Sequence, residues 1–207
     1  MRFYFVRHGQ TEFNKQGIIQ GREVDSPLTA AGIQGAKKLG TLLADVPFTK
    51  AYVSPQQRAR DTAHYILEEN HYPIPPIYTD DRLRELYFGR FEGKPIASFE
   101  EHGYFDEYKN HPDTFDASTT GGETYYDLQK RGLAAFNDIV ANSQQNDDIL
   151  IVAHSIFLTV LTRTLLGVPM KDIRKEGILR NTSVTVIDVD ENKKPHLITF
   201  DYVPTQQ

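Results

Sequence analysis

The chain has 207 residues, a formal net charge of -5 and no cysteine, with 39% hydrophobic and 25% charged residues. This is an ordinary globular balance, long enough for one domain with a sizeable insertion and its own core. The acidic charge argues against a nucleic-acid binder, and the lack of cysteine excludes disulfides, thiolate catalysis and cysteine-ligated metals.

The first predicted element is a buried strand, Phe3-Tyr4-Phe5-Val6. Its four-residue apolar run ends at Arg7, too short for a signal peptide or a membrane span. The expected location is therefore cytoplasmic, with no membrane partner. Thr29 is a predicted N-cap for a helix with Ile33, Ala36, Leu39 and Leu43 on its apolar side. Ala51-Tyr52-Val53 is a second short strand. The following Ser54-Pro55-Gln56-Gln57 matches a capping box with proline at the first helical position, opening a helix to about Glu69. Ile77-Tyr78-Thr79 is a candidate third strand. Residues 93–121 mix aromatic and acidic side chains with glycine and proline, and are expected to form an insertion subdomain of short helices within one domain spanning 1–207.

From Glu123 a helix is expected, with Tyr125, Leu128, Ala135, Phe136 and Ile139 inward. Ile149-Leu150-Ile151-Val152-Ala153 is a continuous apolar run, the pattern of a central parallel strand. Ser155 is the expected N-cap of an apolar helix closed by Gly167 and Pro169. Residues 183–188 and 197–202 alternate around Glu191-Asn192-Lys193-Lys194, a closing C-terminal hairpin. Strands alternating with helices imply an α/β fold with its sheet covered on both faces.

Polar groups stand where α/β proteins build sites, just past strand carboxyl ends. His8 follows the first strand, beside Arg7. His154 follows the central strand. Arg58 lies in the first helical turn after the second strand, leaning back over the sheet edge. Two arginines and two histidines suit a phosphoryl dianion. Arginine donates bidentately to phosphate oxygens, and a helix N-terminus near Ser155 would add backbone donors. A neutral imidazole can attack phosphorus and carry the phosphoryl group, and the cationic cluster then replaces a metal. Glu85 is the candidate proton donor and base, and Asn14 a further donor to phosphate. Taken singly, these are also a strand-end histidine, a core histidine, a surface arginine and a solvated glutamate. Ser54 is read as a cap rather than a nucleophile, and Asp80-Asp81 and Asp147-Asp148 as solvated loop ends. No spacing matches a zinc or magnesium site. The set in order carries the reading.

The stretch Val6-Arg7-His8-Gly9-Gln10-Thr11-Glu12-Phe13-Asn14 resembles the signature of the histidine phosphatase superfamily, the phosphoglycerate mutase-like group. The match continues at Pro27-Leu28-Thr29 with Gly32, and at Ser54-Pro55 with Arg58-Ala59 and Thr62-Ala63. It extends through Leu83-Arg84-Glu85 with Gly89, Glu92-Gly93, Gly122-Glu123 and Val152-Ala153-His154. The resemblance implies a mostly parallel sheet of about six strands between helices, with no metal and no cofactor. It implies His8 as the phosphorylated nucleophile, Glu85 as acid/base, and Arg7, Arg58, His154 and Asn14 as phosphoryl ligands. Two departures stand out. Ser155 follows His154 where the family usually has glycine, adding a hydroxyl to the pocket. Leu86 stands where the glycolytic mutases carry arginine, and Pro95 and Ile96 follow Lys94 where Asn-Lys would be expected. The expected function is hydrolysis of small phosphorylated metabolites. The alternatives are a phosphoglycerate mutase and a non-catalytic phospho-ligand module. Phe99, Tyr104, Phe105, Tyr108 and Phe115 either roof the pocket or pack the insertion. No sequence feature sets an oligomeric state.

Overall fold

The computed structural model describes residues 1–204. Six strands form one sheet: β1 (Arg2–Arg7), β2 (Lys50–Val53), β3 (Ile77–Thr79), β4 (Asp148–Ala153), β5 (Val184–Val189) and β6 (Pro195–Tyr202). Their order is β3-β2-β4-β1-β5-β6. The first four run parallel, while β5 and β6 close the sheet antiparallel as the expected hairpin.

The unbroken apolar runs of β1 and β4 follow from burial on both faces. Phe3 pairs with Ile149 and Phe5 with Ile151, and these residues join Phe136 and Phe157 in the larger core. The alternate residues Tyr4, Val6, Leu150 and Val152 face the other way, into a core with Ala36, Leu39 and Ile66. A period of two thus feeds two cores from one strand. The larger core lies under α6 (Tyr125–Ala141) and α7 (Ser155–Leu165), the smaller under α2 (Ala30–Leu42) and α3 (Gln57–Glu68). Three further helices are short: α1 (Glu12–Gln16), α4 (Ile96–Glu101) and α5 (Tyr104–Asn110). The last two fall inside the expected insertion. Among the described residues, no helix is long and apolar enough to cross a membrane.

Three helix starts differ from expectation. Gln56, not Ser54, caps α3, and it makes no side-chain cap bond. The Ser54 hydroxyl is instead held by His154, 2.8 Å from its Nε2, so a site contact overrides a local capping signal. His154, not Ser155, occupies the N-cap of α7. The Ser155 hydroxyl donates to the Leu179 carbonyl at 3.2 Å. α6 begins at Tyr125 rather than Glu123, because Thr124 and Asp127 form the capping box. Helix α1 was not foreseen. Its signal is the reciprocal pair Thr11–Asn14, in which Asn14 takes the place of the usual Glu or Gln.

The loop leaving β1 lies directly on the first turn of α2, which Thr29 caps by accepting from Gly32 N. A β-carbon at Gly32 would meet the Gln10 carbonyl oxygen at 2.1 Å, and one at Gly9 would meet the Gly32 oxygen at 2.7 Å. Both obstacles are backbone, so only hydrogen fits on either side. Gly32→Ala is therefore expected to destabilise the fold by about 1–3 kcal/mol, the usual cost of overpacking. A urea titration should show the midpoint falling with an unchanged m-value; an unchanged midpoint would contradict this packing.

Candidate active site

β1 and β4 are neighbours in register, with Arg7 opposite Ala153. Each is followed at once by a histidine. The His8 backbone extends the ladder by donating to Ala153 O at 3.0 Å. The two rings consequently lie together, with centroids 5.2 Å apart. Both are buried, His154 completely.

Hydrogen bonds fix the proton on each ring. His8 Nδ1 lies 2.8 Å from Gly9 O. A carbonyl only accepts, so Nδ1 carries the hydrogen and Nε2 is left with its lone pair. Arg58 Nε donates to His154 Nδ1 at 3.2 Å. Arginine only donates, so the His154 hydrogen sits on Nε2, facing Ser54 Oγ. Burial pushes the pKa of both rings well below 6.5, and the charges of Arg58 and Arg7 push them further down.

Arg58 is fully buried yet keeps four hydrogen bonds. Besides His154 it donates to Val24 O, to Gly21 O, and to Asp25 Oδ1 at 2.8 Å. Desolvating an ion costs several kcal/mol. The four bonds and the Asp25 carboxylate offset that cost. Burial lowers the Arg58 pKa, and Asp25 opposes the shift. Arg7 is held by one bond to Leu179 O at 2.7 Å, while its buried Nε has no partner. Burial lowers its pKa to about 10, against the attraction of Glu85, so it remains charged at neutral pH.

Glu85 is buried and grips the start of α7. Its Oε1 accepts from Leu86 N at 2.8 Å and Phe157 N at 2.9 Å, and its Oε2 from Ile156 N at 3.0 Å. The backbone donors that the sequence offered to phosphate are thus satisfied by this carboxylate. The remaining acceptor position on Oε2 is where it can gain a proton. Arg131 fixes the Glu85 segment by donating to the carbonyls of Arg82, Arg84 and Glu85 while pairing with Glu123.

A cavity of about 280 Å³ opens over this cluster. Of the sequence-predicted residues, Arg7, His8, Asn14, Glu85 and Ser155 line it. Arg58 and His154 stand behind His8 and are not among the lining residues. Asn14 Oδ1 accepts from Thr11 N and from Asn181 Nδ2, leaving its amide N–H₂ as the free donor. The insertion aromatics divide: Phe99, Phe105 and Tyr108 line the cavity, while Tyr104 and Phe115 do not.

Two polar lining residues carry no signal in the sequence. Gln20 Oε1 is taken by the Ser26 and Thr11 hydroxyls, so its buried Nε2 is an unpartnered donor. Arg174 enters from the segment after α7. A lone glutamine between Ile19 and Gly21 and an arginine in a charged stretch carry no local signal. Among the described residues, no three His, Asp or Glu converge as metal ligands would.

Residues 3–200 match the family model described as histidine phosphatase superfamily (branch 1). A probable phosphoglycerate mutase, GpmB of Salmonella choleraesuis (strain SC-B67), is 35% identical over 195 residues, covering 93% of this chain and 87% of its own. The solved structure of Bacillus stearothermophilus YhfR superposes with a TM-score of 0.90 at 32% identity over 98% of each chain. The alpha-ribazole phosphatase from Shigella flexneri gives a TM-score of 0.80 at 26% identity over 100% of both chains.

The buried neutral histidines carry a signature in stability. Their folded pKa values lie well below 6.5, so below pH 6.5 the unfolded chain binds protons that the folded chain refuses. Stability is full above pH 6.5 and falls as the pH drops, by up to about 1.4 kcal/mol per pH unit for each ring. Urea midpoints between pH 6.5 and 5 should therefore fall less steeply in His8→Asn than in the parent. Equal slopes would mean that His8 is not held neutral.

Proposed function

With the chain belonging to the histidine phosphatase superfamily, we propose that it hydrolyses small phosphomonoesters through a phosphohistidine on His8. The observation that carries this reading is the bare Nε2 of His8 on the cavity wall, its Nδ1–H spent on Gly9 O. An imidazole in that tautomer is a nucleophile poised beside a charged arginine and a carboxylate. Arg7, Asn14 and Gln20 offer free donors to the phosphoryl oxygens. His154, 5.2 Å from His8 between ring centroids, and Arg58, bonded to it, stand beside His8 and add to the same site the Nε2–H now held by Ser54 and the one remaining guanidinium N–H. Positive charge gathered there meets the charge of the transition state, which is the role a metal ion plays in other phosphoryl-transfer sites.

His8 Nε2 forms the N–P bond as the ester P–O bond breaks. The leaving oxygen takes the proton from Glu85 Oε2. Glu85 then removes a proton from water, the water oxygen attacks phosphorus, and the N–P bond breaks to release inorganic phosphate and neutral His8. Pre-alignment of water and phosphoryl group by groups already fixed in the fold lowers the entropy cost of the second step.

A mutase reading is favoured by the name of the Salmonella relative. A mutase must hold a second phosphate and a carboxylate while the phosphoryl group moves. Beyond the phosphoryl end, the cavity wall is mostly apolar, with Ile18, Ile19, Phe88, Ile96, Phe99 and Phe105, and among the described residues its one cationic side chain there is Arg174, already bonded to Tyr108 O and the Tyr125 hydroxyl. Hydrolysis is therefore the stronger reading.

Brief reaction with labelled substrate, carried out in excess chelator, should leave an acid-labile, base-stable phosphate on His8. His8→Ala should lose both label and turnover. Label on another residue, or activity restored only by added divalent metal, would overturn the mechanism. For Glu85→Gln, the burst of leaving-group release should slow by roughly 10²–10⁴-fold with alkyl phosphates. The burst should slow far less with nitrophenyl phosphate, whose leaving group needs no proton. Equal slowing would reduce Glu85 to holding α7 in place.

A further inference from the structure

Asn181 is not among the residues lining the cavity, yet its side chain bonds to two residues that do. Its Nδ2 donates to His8 O at 3.0 Å and to Asn14 Oδ1 at 3.3 Å. Two amide hydrogens thus meet two acceptors. The orientation of both amides is fixed by backbone groups that have one role each. His8 O only accepts, so Nδ2 of Asn181 faces it. Thr11 N only donates, so Oδ1 of Asn14 faces it, at 3.2 Å. With either amide turned over, like groups would confront each other.

The segment carrying Asn181 wraps the end of β1. Arg7 N donates to Ser183 O at 3.2 Å, and Thr182 N donates to Arg7 O at 3.2 Å and to His8 O at 3.3 Å. The Arg7 guanidinium reaches the same segment at Leu179 O. On the outer side Arg180 is clamped to Asp201 of β6, its backbone N donating to Oδ1 at 2.8 Å and its Nε to Oδ2 at 2.7 Å. Thr182 has a φ of 53°, a left-handed backbone that a β-branched residue adopts only when its surroundings impose it. In that conformation its N–H and the Asn181 side chain both reach His8 O. Backbone strain is therefore held at the point where this segment meets His8.

We propose that Asn181 is a positioning residue for the phosphoryl site: by occupying Asn14 Oδ1 it holds the Asn14 amide with its N–H₂ free for the phosphoryl oxygens. This rests on the reading of Asn14 as a phosphoryl donor. Without Asn181, one bond to Thr11 N would hold that amide where two hold it now. An amide turned over would set its oxygen, an acceptor, against an anion. Fixing the donor before the anion arrives removes that arrangement, together with the rotamer freedom that binding would otherwise cost.

The test is a double-mutant cycle of Asn14→Ala and Asn181→Leu, leucine having the shape of asparagine without its donor. Two quantities are read: kcat/KM for nitrophenyl phosphate, and the calorimetric affinity for inorganic phosphate. Asn181→Leu should lower each by about three- to tenfold in the parent, the range for one hydrogen bond. Where Asn14 is already alanine, the same substitution should cost less than about twofold. A residue that only supports the fold would cost the same factor in both backgrounds, so equal losses overturn the proposal. Asn14→Ala leaving both quantities unchanged overturns it as well, because Asn14 would then have no donor role to position. If Asn181→Leu fails to fold, Asn181→Ser, smaller and open to water, takes its place in the cycle with the same outcomes. The phosphate affinities do not depend on turnover. If no phosphomonoester is hydrolysed and the phosphate cycle still shows the coupling, the phosphatase reading fails and the role of Asn181 stands. Coupling in neither quantity overturns that role.

Discussion

The structure depends on one electrostatic constraint: two guanidinium groups and two imidazoles share a largely dehydrated space at the ends of β1 and β4. Neighbouring charges in such a medium interact far more strongly than in water. Burial is the first reason that both rings remain neutral, and the charges of the two arginines push in the same direction. Neutrality is what the nucleophilic role proposed for His8 requires. The same constraint explains the hydrogen-bond partners. Arg58 imposes the acceptor role on His154 Nδ1, and Gly9 O fixes the hydrogen of His8 on Nδ1. Protonation states are thereby written into the backbone and into a neighbouring arginine.

Much of the remaining architecture holds this charge in place. Glu92 accepts from the backbone N–H groups of Arg22, Glu23 and Val24, and from Phe88 N. It ties down the very loop whose Gly21, Val24 and Asp25 receive Arg58. Gln56 joins that loop to the Glu85 segment, donating to Gly21 O at 2.8 Å and accepting from Glu85 N at 3.1 Å. Arg131 and Glu123 secure the other side of Glu85 from α6. Glu92 of the Glu92-Gly93 motif therefore touches the cavity wall at Phe88, while Glu123 of the Gly122-Glu123 motif reaches it through Arg131. Each anchors a segment that carries a residue of the candidate site.

The sheet was legible because its signals are local and redundant. Five consecutive apolar residues at 149–153, and a polar break at His154, leave little choice but a central strand ending in a site. The helix starts were less legible because caps compete with tertiary contacts. Ser54 satisfies every local rule for an N-cap and still serves His154, a residue 100 positions away. The helix-terminus donors near Ser155 were correctly located, but their partner, Glu85, is 71 and 72 positions distant. Gln20 and Arg174 become meaningful only when the fold leaves a buried donor on each unpaired. A sequence lists donors and acceptors; which of them remain unpaired is a property of the folded chain.

That distinction also explains why the two ends of the cavity differ in how readable they are. The phosphoryl end is built from residues adjacent to strand ends, where register dictates position: Arg7 opposite Ala153, then His8 and His154 side by side. Chemistry placed there tolerates little change, because a one-residue slip would turn each side chain to the opposite face of the sheet. The far end is assembled from α4, α5 and the segment after α7, with Phe99, Phe105, Tyr108 and Arg174 packed on one another. No ladder fixes these positions. Side-chain packing does, so substitutions here can reshape the wall while leaving the reacting groups undisturbed. On the proposed reading, a site divided in this way couples a fixed reaction to an adjustable leaving-group pocket, the part least visible from sequence.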